Sequence, residues 1–424
     1  MKPKEKILIV DLGILGIPVG QAIANDFEVL LWTPWVRSFT TPFELHIGDG
    51  IDGIRRVDSY HDAKREILKD KGIFYFSDVG QGDMQAELRR EGARVVGAGD
   101  SGELEMDRIK AKRTLKEQGL PTPEWWPLTG IKELEPLLRK EKDLYVKLNT
   151  EDRGVMETYH HIDWENSQGV FYKLAYDLKC FRHTTKFIVE RPWPGIEVGQ
   201  DVLAVNGKYF NESLYGIELK GDGYIARHFK ADEFPAPIRQ FNRAMAPVEL
   251  RYKTSGAISS ELRVGPKGTY CGDFTRRQGN PPTGCITTNY KNLGKIIKGI
   301  ADGVEVNPEW NATYVAELSV EVPGAEKEET PMPLEEKDFE FIKLRAACRI
   351  GKMFFNIPIE GVGNVIVKAT GLGESREEAE FEALEHATEF AKKVPGALFN
   401  KTTFDDLEET IEEGRKFGLN PDEF

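Results

Sequence analysis

Glu261-Leu262-Arg263-Val264-Gly265-Pro266-Lys267-Gly268-Thr269-Tyr270-Cys271-Gly272-Asp273-Phe274-Thr275-Arg276-Arg277 is the stretch that decides how this chain of 424 residues is built. Two runs rich in Val, Ile, Thr, Tyr and Phe (Ala257–Val264 and Thr269–Phe274) flank Gly265-Pro266-Lys267-Gly268 and read as an antiparallel hairpin. Folding at that turn brings Glu261 close to Asp273. Whether the two share a face depends on the register of the turn, which the sequence leaves open. Carboxylates converging on one face repel unless a cation lies between them. Hard oxygen ligands together with phosphate oxygens are what Mg²⁺ prefers. Thr275 lies two positions beyond Asp273 and Arg277 two further, so metal ligands and a cation alternate along one strand, as a compact phosphoryl-transfer site requires.

Working outward, Tyr145-Val146-Lys147-Leu148-Asn149 ends a strand in a lysine, followed by a polar turn that holds Arg153-Gly154. A lysine at a strand end is also what a solvated charge looks like. Two cations flanking a loop suit a polyphosphate, whose charge needs paired donors. Phe187-Ile188-Val189-Glu190-Arg191-Pro192-Trp193-Pro194-Gly195-Ile196-Glu197 is a buried strand, a proline connector and a second strand opening at Glu197. It reads either as a hairpin with surface acids or as a hinge whose backbone meets an adenine edge, with a carboxylate for ribose hydroxyls. His160-His161 reads as exposed polar residues, since neighbours on a strand point to opposite faces. Trp125-Trp126 reads as a packed connector.

The first hundred residues alternate in βα fashion: strands at 6–10, 27–32, 73–76 and 93–96, with helices at 63–69 and 83–91. That pattern implies a parallel sheet, and Gly13, Gly80 and Gly97 follow three of its strands, where ligands of such sheets sit. Gly13-x-x-Gly16-x-x-x-Gly20 departs from the dinucleotide fingerprint, and neither a P-loop nor a Gly-x-Ser-x-Gly elbow occurs. Residues 103–118 read as one Glu/Lys/Leu-rich helix closed by Gly119, and residues 143–273 as strand-rich. Residues 323–336 read as an acidic surface loop and 404–417 as a short acidic helix. The basic and acidic residues number 57 and 70, a net charge of −13, which disfavours a partner such as duplex nucleic acid but permits a local cationic cleft. Four scattered cysteines point to a reduced, cytoplasmic setting. Lys2, Lys4 and Lys6 before an apolar run outline a secretory signal, but Asp11, Gly13, Gly16 and Pro18 interrupt it, and no window is long enough to span a membrane.

In order and spacing these segments resemble the ATP-grasp ligases, above all the phosphoribosylamine–glycine ligases and, more distantly, biotin carboxylases. Leu104-Glu105-Met106-Asp107-Arg108-Ile109-Lys110-Ala111-Lys112 is similar to the family's Leu-Glu-x-x-Lys-x-x-x-Lys helix, with Arg108 at the phosphate-binding lysine. By the same resemblance Lys147 holds the α- and β-phosphates, and Arg153 ends the phosphate loop. Glu190 to Trp193 lie on the adenine hinge, and Glu197 is the ribose-binding acid. Arg227-His228-Phe229-Lys230, with Glu233 and Pro235-Ala236-Pro237 after it, resembles the biotin carboxylase segment whose histidine approaches the nucleotide and whose lysine approaches the carboxylate substrate. Asp273 to Pro281 follow the pattern Glu-Phe-Asn-x-Arg-Phe-Gly-Asp-Pro, with Asp273 and Thr275 replacing its metal-binding Glu and Asn. The Gly-Pro-Asn-Thr-Gly-Gly-Met-Gly segment that serves the small substrates of glycine ligases is missing between Lys230 and Ser255.

The resemblance implies a mixed α/β and α+β fold. A parallel-sheet pre-ATP-grasp domain (1–102) is followed by the ATP-grasp domain (103–320), then by a C-terminal αβ segment with an acidic tail (321–424). It implies ATP and Mg²⁺ (or Mn²⁺) as cofactors, Glu261, Asp273 and Thr275 on the metal, and Arg277 and Lys230 at the transferring phosphoryl. The reaction expected is ligation of a small-molecule carboxylate to an amine through an acyl phosphate, by a monomer or homodimer with no membrane partner. Two rival readings are an ATP-binding protein that has lost catalysis and a nicotinamide oxidoreductase built on the N-terminal βα units.

Overall fold

The computed structural model describes residues 3–11, 14–34, 46–149, 158–359 and 363–419. Among them, five parallel strands form an N-terminal sheet in the order Ile54–Arg56, Phe27–Trp32, Glu5–Val10, Ile73–Phe76, Arg94–Val96. The central strands are near-continuous apolar runs, Ile7–Val10 aliphatic and Ile73–Phe76 mostly aromatic, because helices cover both faces. Gly16 opens the first helix, Gly16–Ile23; a Cβ there would lie 2.7 Å from Leu31 Cδ1, so the helix reaches the sheet only without a side chain.

The single helix expected over 103–118 is two. Asp107 is extended between Glu103–Met106 and Arg108–Glu117, and its carboxylate accepts from the amides of Ile109 (3.0 Å) and Lys110 (3.1 Å). An aspartate that caps the second helix interrupts the first.

Residues 125–190 form a small lobe. Its antiparallel sheet runs Trp125–Thr129, Lys186–Glu190, Leu144–Leu148, Thr158–His161, and the helices Ile131–Lys140 and Trp164–Asp177 complete the lobe. Trp125 and Trp126 pair with Glu190 and Val189 as an edge strand rather than serving as a connector. The lobe has its own core of Leu134, Leu138, Val146, Phe171, Leu174 and Phe187.

A nine-stranded sheet carries the rest. Its path is Gly268–Thr275, Gly256–Gly265, Ile196–Val205, Glu212–Leu219, Gly223–Lys230, Tyr314–Glu321, Val365–Gly373, Ile342–Leu344, with Lys208–Tyr209 beside Ile196–Val205. The C-terminal strand Val365–Gly373 and its helix Arg376–Lys393, started by a Ser375/Glu378 capping box, are continuous with this sheet. The stretch expected as a surface loop holds a short strand, Pro331–Met332, and the final helix is Leu407–Arg415. The helix Ala236–Tyr252 also breaks the stretch expected to be strand-rich. The N-terminal sheet and the large sheet share one core, in which Ile9 and Val19 join Ile296 and Val315. No helix among the described residues is long and apolar enough to cross a membrane.

Candidate active site

The hairpin register places Glu261 directly opposite Asp273. From the turn outward Gly265 pairs with Gly268, Val264 with Thr269, Arg263 with Tyr270 and Leu262 with Cys271; the register then shifts by one residue, leaving Gly272 as a bulge. Were Gly272 paired in register instead of bulged, it would face Glu261, and Asp273 would face Ser260 and point to the other side of the sheet. The bulge also turns the Gly272 carbonyl to accept from Lys147 Nζ at 3.2 Å.

A cleft of ≈ 660 Å³ opens between this hairpin and the small lobe, with Arg108, Lys147, Glu190, Trp193, Glu261 and Asp273 among its walls. On the cationic wall, Glu190 is buried and shared: Lys147 Nζ lies 2.9 Å from Oε1, Lys112 Nζ 2.6 Å from Oε2, and the Tyr270 hydroxyl donates to Oε2 at 2.8 Å. Lys112 Nζ also stands 4.1 Å from the centre of the Tyr270 ring. Burial alone would depress the Lys147 ammonium, but the carboxylates of Glu190, Asp273 and Glu261 hold it above its ordinary value. Burial opposes ionisation of Glu190 too, and Lys147 and Lys112 reverse it. For Lys112 burial wins, pushing the ammonium down to about 8. Arg108 spans lobe and hairpin: its amide donates to Asn149 Oδ1 (2.8 Å), Nη1 to the Leu148 carbonyl (2.5 Å), and Nη2 lies 3.2 Å from Asp273 Oδ2.

Glu261, which lines this cleft, also gathers with Glu197 and Glu218, and one oxygen of each lies within 4.8 Å of the others. Lys220 Nζ pairs with Glu197, lies 3.4 Å from Glu261 and 3.9 Å from Glu218, and Arg263 Nη2 meets Glu197 at 2.5 Å. Burial, then Glu197 and Asp273, push the Glu261 carboxyl up to about 7 against the pull of Lys220 and Lys147. Hard oxygens facing one another at this spacing, with cationic side chains holding part of their charge, fit a divalent cation.

Behind Glu261 a second cleft of ≈ 190 Å³ is lined by Thr275, Arg277, Tyr224 and Ser259. Arg277 Nε donates to Glu105 Oε1 at 3.2 Å. Tyr224 lies in a slot made by two cross-strand partners, Gly199 and Gly216, and donates to the buried Asp201 Oδ2 at 2.6 Å. Burial pushes Asp201 up to about 7 despite hydrogen bonding from Ser259 and Tyr224; Glu317 and Glu218 add to the rise.

The structure thus brings together Arg108, Lys147, Glu190, Trp193, Glu197, Glu261, Asp273, Thr275 and Arg277. It does not bring Lys230 and His228 there. In their hairpin Lys230 pairs with Glu212 whereas Tyr224, which lines the second cleft, pairs with Glu218, so Lys230 sits at the far end of the strand. Its Nζ lies 3.9 Å from Glu233, and His228 stacks on Trp310 at 4.7 Å between ring centres. Arg153 and Gly13 lie outside the described residues. His160 and His161 take opposite faces, but His161 is buried, its ring nitrogen 3.1 Å from the Glu141 carbonyl. Lys112 appears in the sequence only as the last lysine of the helix motif, with no role assigned, and Glu218 and Lys220 were not singled out. Lys112 carried a signal, one helical turn after Arg108 and therefore on the same face; Glu218 and Lys220 looked like ordinary charges beside a hairpin turn.

The sequence matches no family model and no curated protein at a significant level. Solved structures do match. Phosphoribosylamine–glycine ligase of Thermotoga maritima has a TM-score of 0.68 at 17% identity, over 93% of this chain and 99% of that one. The biotin carboxylase domain of the Hydrogenobacter thermophilus 2-oxoglutarate carboxylase, solved with MgADP, ADP and bicarbonate, has 0.60 at 12%, over 97% and 99%. L-amino acid ligase of Bacillus licheniformis has 0.59 at 14%, over 94% and 100%. The chain therefore has the ATP-grasp fold over nearly its whole length.

Proposed function

We propose that this ATP-grasp chain is an ATP- and Mg²⁺-dependent ligase that joins a small-molecule carboxylate to an amine and releases ADP. The observation that carries the reading is the pairing of Glu261 with Asp273 in the same cleft as Lys147 and Arg108. Acids that can hold a cation and cations that can hold phosphates then face one space. The similarity to ligases and a carboxylase solved with nucleotide supports it.

In this reading Lys147 and Arg108 hold the phosphates, the backbone around Glu190 and Trp193 meets the adenine, and Glu197 meets the ribose. Glu261 and Asp273, with Thr275 beside them, would hold Mg²⁺, which neutralises charge on the phosphates. The carboxylate oxygen attacks the γ-phosphorus, the bond to the bridging oxygen breaks, and ADP leaves an acyl phosphate. The amine then attacks the acyl carbon and inorganic phosphate departs with the amine's second proton. The first step needs positioning and charge stabilisation more than acid–base chemistry, and Arg277 faces the second cleft in a place to supply both. The segments Gly80–Asp83 and Gly97–Ser101, which lead from the carboxyl ends of N-terminal strands into helical turns, would line the acceptor side.

The test is ADP release across a panel of carboxylate and amine pairs, with Lys147→Ala and Asp273→Ala beside the natural chain. Each substitution should lower turnover by about a hundredfold or more, the scale of losing one preorganised electrostatic contact. Unchanged turnover would sink the assignment. Mg²⁺-dependent ATP binding with no ADP formed from any pair would identify a nucleotide-binding protein instead.

A further inference from the structure

Nothing in the reaction just described uses Lys112, yet its ammonium is buried beside the phosphate-binding wall. We propose that Lys112 is a positioning residue: it neutralises Glu190 so that the Lys147 ammonium keeps its charge for nucleotide phosphates. The proposal rests on the ATP reading above and adds to it a reason for a second buried lysine.

The geometry is a row of three charges. Lys147 takes one oxygen of Glu190 at 2.9 Å and Lys112 takes the other at 2.6 Å. Each oxygen is thus claimed by a different cation, and the row carries a net charge of +1. Tyr270 holds this end of the row in place, one contact on Glu190 and one on Lys112. The Tyr270 hydroxyl donates to the same Oε2 at 2.8 Å, and the Tyr270 ring lies under the ammonium at 4.1 Å. Lys112 is absent from the cleft walls, whereas Lys147, Glu190 and Tyr270 are among them. Lys112 therefore acts on a bound nucleotide through Glu190. Take Lys112 away, and a buried carboxylate is left to Lys147 alone. In a site of low dielectric that pair closes on itself, and the row presents no net positive charge to the phosphates.

A charge argument of this kind is tested by restoring the balance rather than by deletion alone. Isothermal titration calorimetry would measure ADP and adenosine binding, with Mg²⁺ present, to the full chain and to Lys112→Met, Glu190→Gln and the double variant. Thermal melts would confirm that each is folded. Lys112→Met should weaken ADP by about tenfold while leaving adenosine within about twofold, because the loss falls on phosphate charge. Lys112→Met/Glu190→Gln, again with a row of net +1, should recover most of the ADP affinity. Lys112→Arg should retain it and serves as the folded control if the Met variant melts early. Equal losses for ADP and adenosine would overturn the proposal, since they indicate a packing role. A double variant as weak as Lys112→Met would overturn it too, since Lys112 would then act without Glu190. If the unaltered chain binds no ADP, the ATP reading itself fails, an outcome distinct from either of these.

Discussion

Asp201 shows how a single buried residue links this fold to pH. Its carboxyl sits under the second cleft and accepts from Tyr224, and burial holds its titration at about 7 rather than near 3.8. A carboxyl raised in the folded state favours folding while it is neutral. Its stabilisation is complete below its unfolded value and is lost as pH rises through about 7. The groups around it are Glu218, Glu317, Tyr224, Ser259, Tyr290 and Cys285, and the two glutamates push in the same direction. Asp201→Asn cannot ionise and should escape the loss. Its melting temperature relative to the natural chain is therefore expected to rise by about 2 °C or more between pH 5.5 and 8. Melts at the two pH values check this; a difference that does not change with pH would mean that Asp201 titrates as an ordinary carboxylate. Glu261, also raised to about 7, remains in both chains and cancels in the comparison.

At the scale of elements, the hairpin from 256 to 275 turns two acidic residues into a facing pair, and it does so through Gly272. Deleting Gly272 joins Cys271 to Asp273, which then meets Glu261 in an unbulged ladder, but the carbonyl that accepts from Lys147 is lost; Mg²⁺-dependent ADP binding in calorimetry should weaken by about tenfold or more. Gly272→Ala should keep the register, because a Cβ there meets Glu261 Oε1 at 3.5 Å, an ordinary contact. Binding by the deletion equal to that of the alanine variant would show that the bulge is dispensable. The hairpin itself was legible, since Gly265-Pro266-Lys267-Gly268 marks a turn in any context. The bulge was not, because a lone glycine in a strand does not announce which partner it skips. Lys147 was legible as a cation at the end of an apolar run, and Arg108 only through the resemblance of its helix to the ligase motif. Lys230 misled for a related reason: its neighbours resemble a substrate-binding segment, but only strand register decides which end of a hairpin meets the cleft. Glu218 and Lys220, at the end that does, carry no pattern of their own. The split helix at Asp107 was missed because helix propensity summed over sixteen residues outweighed a single capping side chain.

On the scale of the whole molecule, the two clefts lie where differently built parts meet. The N-terminal sheet and the large sheet share one core and are further tied by Tyr75 to Gln278 (2.9 Å) and by Arg94 to Asp302 (2.6 Å). The small lobe has a separate core, and several of its links to the body are polar: Arg108 to Asn149 and Leu148, Lys147 to Gly272, and Lys112 to Glu190. Apolar contact continuous across a boundary makes parts unfold together; polar links around a water-filled cleft let one part open alone. The lobe should therefore exchange its amide hydrogens independently of the body. Hydrogen exchange followed by mass spectrometry is expected to show the strands Leu144–Leu148 and Lys186–Glu190 exchanging faster than Ile196–Val205, although all three are largely buried. ADP with Mg²⁺ touches Lys147 and the hinge in the proposed reading, so it binds the closed lobe and not the open one. It should slow exchange in the two lobe strands by at least about tenfold at saturation and leave Ile196–Val205 nearly unchanged. Equal slowing in all three strands would mean that lobe and body already open as one unit, and the cleft would then lie within a single rigid body.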